Sequence, residues 1–166
     1  MKKLIFINLL LTLVATSAKA DVQMFNVSSI EEGSSLEKTI PEMATQGEYF
    51  KALSSYYNST GELKLADKLA AAKSAWALSN AHKARELWLE VLAYKALKGE
   101  ERARTSLSLA ILESQEGNYE EARATAERQA HELAPSELRA QFWLVIAESL
   151  KEQKAFSVAE GYYKKA

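Results

Sequence analysis

Apolar residues along this chain recur with the period of a helix. Ala103, Leu107, Ala110, Ile111 and Ser114 fall at i, i+4, i+7, i+8 and i+11, the spacing of one helical face. Leu138, Phe142, Trp143, Ile146, Ala147 and Leu150 repeat that stripe with a wider apolar front. No stretch alternates apolar and polar residues between turn signals, as a strand would. Breaker residues stand at Gly47, Gly61, Ser79-Asn80, Gly99, Gly117, Pro135 and Gln153-Lys154, at intervals of 14 to 20 residues. Such intervals suit helices of three to four turns joined by short connections. The pattern therefore predicts an all-α chain of about seven or eight amphipathic helices.

One of these breaks shows how two helices are joined. In Glu116-Gly117-Asn118-Tyr119-Glu120-Glu121-Ala122, Gly117 can take the left-handed conformation that ends a helix, and Asn118 can cap the next. Glu121 is placed to complete a capping box, and Glu120 and Glu121 suit the positive end of the helix dipole. Tyr119 fills the bend and Ala122 lets the two helices approach closely. The joint recurs with substitutions at Gly47-Glu48-Tyr49-Phe50-Lys51-Ala52, at Ser79-Asn80-Ala81-His82-Lys83-Ala84 and at Lys154-Ala155-Phe156-Ser157-Val158-Ala159. Its four alanines, Ala52, Ala84, Ala122 and Ala159, are separated by 32, 38 and 37 residues. A period in the thirties built from two helices is the signature of an α-solenoid.

These residues resemble the tetratricopeptide repeat family. Its pattern has an aromatic early in the first helix, a small residue midway, Gly-x-Tyr-x-x-Ala at the turn, a second aromatic four residues later, and proline after the second helix. Trp143, Ala147, Phe156, Ala159, Tyr163 and Ala166 match in the last repeat. The preceding one has Ala110, Gly117, Tyr119, Ala122 and Pro135, with Ser106 and Ala126 where aromatics belong. Ala72, Ala84 and Trp88 match in the next, with Ala81 in the turn aromatic's place and Lys68 in the tryptophan's. Gly47, Tyr49, Ala52 and Tyr56 match in the first, whose opening helix is short or broken because it carries Pro41. The period exceeds the family's usual one, which leaves open a variant with longer helices or turns. The resemblance implies a right-handed α-solenoid of stacked antiparallel helix pairs over residues 34–166, about four pairs in all.

The amino terminus reads differently. Lys2 and Lys3 precede an apolar run from Leu4 to about Ala15, followed by Ala18-Lys19-Ala20. This is the plan of a secretory signal peptide over residues 1–20, cleaved after Ala20, and the run is too short to span a bilayer. No cysteine follows it, so a lipid-modified amino terminus is not expected, and the mature chain should not insert in a membrane. Residues 21–33 belong to no repeat and read as a flexible leader, the alternative being a strap packed through Met24, Phe25, Val27 and Ile30. Cleavage leaves 18 basic residues against 22 acidic ones, a net charge of −4, which argues against nucleic acid. Without cysteine the fold rests on packing alone.

Candidate chemistry is sparse. His82 and His131 are the only histidines and fall in different helix pairs, so a shared metal site is not expected, and no cofactor is implied. The acids Glu113, Glu116, Glu120 and Glu121, like Glu31-Glu32, read as solvated helix faces rather than a general acid and base. No catalytic or phosphate-binding motif is present. Asn58-Ser59-Thr60 is a sequon by sequence but reads as an inter-repeat turn. Trp88, Trp143, Tyr56 and Tyr163 fall at packing positions of the repeat, whereas Trp76 faces the groove unless the local register slips and buries it. By position, the family's concave groove falls on Lys73, Trp76 and Ala77 in one first helix and on Arg104, Leu107, Ile111, Ser114 and Gln115 in the next. In the last it falls on Gln141, Leu144, Glu148, Lys151 and Glu152. This mixed lining departs from the basic-and-asparagine clamp with which chaperone-binding members grip a carboxyl terminus. The expectation is a non-enzymatic, exported interaction scaffold, periplasmic or secreted, that holds a protein or peptide partner of the cell envelope. Two alternatives stand beside it: the helical portion of an envelope enzyme, such as the superhelical region of peptidoglycan lytic enzymes, and a module that self-associates through its carboxyl-terminal end.

Overall fold

The computed structural model describes residues 38–166; the expected signal peptide and leader lie outside them. The described residues form eight helices: α1 Ile40–Thr45, α2 Tyr49–Asn58, α3 Leu65–Ala77, α4 Ala81–Ala93, α5 Gly99–Gln115, α6 Tyr119–Glu132, α7 Glu137–Glu152 and α8 Phe156–Tyr163. No strand occurs among them.

The odd helices are joined to the even ones by one geometry used four times. Gly47, Ser79, Gly117 and Lys154 take φ of +79°, +59°, +83° and +65°. In each case two amides turn back onto the helix just ended. Around Gly117, its own N–H donates to the Ser114 carbonyl at 3.2 Å and that of Asn118 to the Glu113 carbonyl at 2.8 Å. The corresponding second bonds elsewhere are Glu48 to Met43, Asn80 to Ala75 and Ala155 to Leu150, at 2.8–2.9 Å. This paired arrangement satisfies carbonyls that a helix end leaves open, and the left-handed residue that it needs suits glycine best. The residue after it then starts the next helix: the carbonyls of Glu48, Asn80, Asn118 and Ala155 accept from Ala52, Ala84, Ala122 and Ala159. Those four alanines are 0–2% exposed. A connection this short folds the second helix back on the first.

The capping box expected at Asn118 is absent, because the Asn118 amide that Glu121 would receive is already bonded to Glu113; the Asn118 side chain makes no cap either. Asn80, in the equivalent place, does cap, accepting from the Lys83 amide at 3.2 Å. At α1 a complete box closes between Thr39 and Glu42. Pro41 sits in the first turn of that helix, where its missing N–H costs no bond, so α1 is short and unbroken.

Each helix packs on its neighbours in sequence, and α1 also packs on α3 and α5 on α7. Among the described residues, α1 and α2 do not touch α7 or α8. Helix α5 carries two buried faces. Ala103, Leu107 and Ala110 meet Ala122, Ala126 and Ala130 of α6 and Phe142, Trp143 and Ile146 of α7. Leu109 and Leu112 belong to a second cluster with Leu87 and Trp88 of α4 and Ala71, Ala72 and Ala75 of α3. The alanine row on α6 brings its backbone close, so larger neighbours fill the space.

Two expectations need correction here. Tyr163 is 37% exposed, while Tyr162 packs against Trp143 with ring centroids 5.7 Å apart, because the inward face of α8 continues from Ala159 by three residues and not four. Glu113 is not on a solvated face. It is 4% exposed, turned between α4 and α5 toward Arg85 at 3.5 Å. Lys68, in the tryptophan's place, pairs with Glu90 and lies 5.0 Å from the Tyr94 ring centroid.

Candidate partner-binding groove

Helices α3 and α5 leave a cleft of about 360 Å³ between their outward faces. Its floor is Leu69 and Trp88, both buried. Lys73 stands on the α3 wall; Glu100, Arg104, Thr105 and Ser108 stand on the α5 wall. Arg104 and Glu100 are one helical turn apart and pair at 2.5 Å, each side chain 67% exposed, so a charged partner can replace either at little cost. Thr105 and Ser108 hydroxyls donate back to the Glu101 and Arg104 carbonyls at 2.9 and 3.1 Å. Thr105 is buried, and Ser108, half-buried, keeps a lone pair for a donor. Lys73 is exposed and enters no salt bridge among the described residues.

The expected groove residues fall into three groups. Lys73 and Arg104 come together on the rim of this cleft. Glu148 and Lys151 come together on α7, where the Glu148 carboxylate accepts from both the Lys151 ammonium and the Tyr163 hydroxyl. Burial and that carboxylate push the Tyr163 phenol above its ordinary range. The third group is placed elsewhere or stands alone. Trp76 is half-buried and meets Trp88 edge-on, ring centroids 5.2 Å apart; like Leu53 and Tyr56 of α2 it packs against the core of α3 and α4, and it does not line the cleft. Leu107, at 8% exposed, belongs to the core between α5 and α7, with Ile111 half-buried beside it. Gln141 is half-buried and Gln115 exposed.

Leu69, Trp88, Glu100, Glu101, Thr105 and Ser108 line the cleft without having been expected there. Glu100 carried a readable signal, four residues before Arg104 on a helix. Trp88 did not, since it reaches the cleft from the second helix of its pair.

His82 and His131 are both exposed, and the His131 ring meets Trp143 edge-on at 5.4 Å. Among the described residues no three His, Cys, Asp or Glu side chains gather as a metal set, and no helix is long and apolar enough to cross a membrane. Compared with protein-family models, with curated proteins and with solved structures, the chain matches none.

Proposed function

We propose that this chain is an exported, non-enzymatic scaffold of the tetratricopeptide-like kind, a right-handed α-solenoid that holds an extended peptide or a partner helix against its first helices. The observation that carries this reading is the joint between paired helices. The same left-handed residue, the same two returning amides and the same buried alanine recur at 32, 38 and 37 residues, and a chain built of equal joints stacks its first helices side by side. The packing of α1 on α3 and of α5 on α7 agrees with that stacking, while α3 and α5 are joined through α4 and leave the cleft between them. The first helices then offer a wall with side chains of both signs, and the α3–α5 cleft supplies a recess with an apolar floor and a polar rim, the combination that seats one anchor residue of a bound segment. Residues 1–20 have the composition of a signal peptide, which supports the periplasm or the exterior as the site of action.

Panning a phage-displayed peptide library on the mature chain tests the groove. Enriched peptides should bind the parent protein and lose about tenfold or more in affinity to Lys73→Glu and Arg104→Glu, about 1.4 kcal/mol. Failure to enrich any peptide, or binding that ignores both substitutions, refutes the assignment. Self-association is a second reading that one observation favours: Phe156, Val158 and Tyr163 on α8 are 63%, 51% and 37% exposed. Light scattering that finds a monomer at high concentration removes it.

A further inference from the structure

Helices α1 and α3 touch, as do α5 and α7, but α3 and α5 do not. The cleft of about 360 Å³ stands in the place of that missing contact, with α3 as one wall and α5 as the other. Four charged side chains line it: Lys73 from α3, and Glu100, Glu101 and Arg104 from α5. Arg104 and Glu100 neutralise each other along their own helix. That leaves Lys73 on one wall and Glu101 on the other, both exposed. Among the described residues neither enters a salt bridge or a side-chain hydrogen bond; the Thr105 hydroxyl bonds only the Glu101 carbonyl, at 2.9 Å. Opposite charges on facing walls that fail to meet favour a segment able to answer both, with an acid toward α3 and a base toward α5.

The size of the cleft decides the form of that segment. Three turns of helix, about 16 Å long and about 10 Å across, fill roughly 1,300 Å³, several times the cleft. An extended chain is narrower, and its successive side chains point to opposite sides. Adjacent residues of such a chain reach opposite walls, whereas residues two apart reach the same one. We infer, resting on the assignment of this cleft to a partner, that it takes an extended segment of another protein in which an acidic and a basic residue are adjacent. The acid pairs with Lys73 and the base with Glu101. Glu101 also lies in the first turn of α5, where an acid favours the helix dipole. Glu137 holds the same place in α7, is exposed, and does not line the cleft, so its substitution separates the effect of the dipole from that of the site.

Panning short phage-displayed peptides drawn only from Asp, Lys, Ser and Val on the mature chain tests the pairing. Selected peptides should carry Asp and Lys side by side, and those with the two charges two apart, or with charges of one sign, should be depleted. Synthesised and titrated by fluorescence anisotropy, the selected peptides should lose about tenfold or more in affinity to Lys73→Glu and to Glu101→Lys, since each brings like charges together. Panning on Glu101→Lys itself should select adjacent acids instead. Glu137→Lys should leave the affinity unchanged, and a loss there equal to that in Glu101→Lys overturns the inference. Peptides that lose affinity to Arg104→Glu but keep it in Glu101→Lys, or that carry no adjacent acid and base, also overturn it while leaving the groove standing. Failure to enrich any peptide overturns both.

Discussion

Glu113 is the residue whose environment departs furthest from its chemistry. Burial raises its carboxyl above the ordinary value of 4.5, and Arg85 only partly offsets this; one of its oxygens has no partner. A carboxyl raised in the folded state contributes stability that is fully present below its unfolded pKa and is lost as pH rises through the folded one. Glu113→Gln should therefore be at least as stable as the parent at pH 7. That margin should vanish below the ordinary value of 4.5, where the parent carboxyl is neutral. Urea denaturation of both proteins at pH 7 and pH 4 measures it, and a variant less stable at pH 7 than at pH 4, relative to the parent, contradicts the assignment. Trp88, 1% exposed beneath the candidate groove, belongs to the opposite class. Its replacement by alanine should cost about 3–5 kcal/mol in the same experiment.

Among elements, the paired-helix joint makes the sharpest demand. Two of its four left-handed positions are held by Ser79 and Lys154, where a side chain makes that backbone costly. Lys154→Gly should gain up to about 1 kcal/mol. Gly117→Ala should lose about 1–2 kcal/mol, although a methyl there meets nothing within 4 Å, so the loss is one of backbone alone. Much of this level was legible in the sequence. Gly47, Gly117 and the four spaced alanines announced the joints, because one residue type answers one backbone requirement. Tyr162 was not distinguished from Tyr163, because a stripe on an eight-residue helix leaves the facing ambiguous by one position. Glu113 was misread for the opposite reason: its helix is buried on two faces, and a single-stripe pattern assigns the second face to solvent. Trp76 turned on the same difficulty, since its partner Trp88 belongs to another helix.

At the scale of the molecule, the helices described touch only near neighbours in sequence, and the two halves of the described chain share α5 as their common wall. That arrangement makes the open stack a matter of distance. The chain has no cysteine, so a pair of spin labels can be placed uniquely at Phe50→Cys and Phe156→Cys, on α2 and α8, where both parent side chains are exposed. Three successive helix-pair steps at about 8–10 Å each put the labels beyond about 24 Å. Double electron–electron resonance should give one distribution centred above that value, and a distribution centred near 15 Å, with the first and last pairs in contact, would mean that the helices close into a bundle and present no wall.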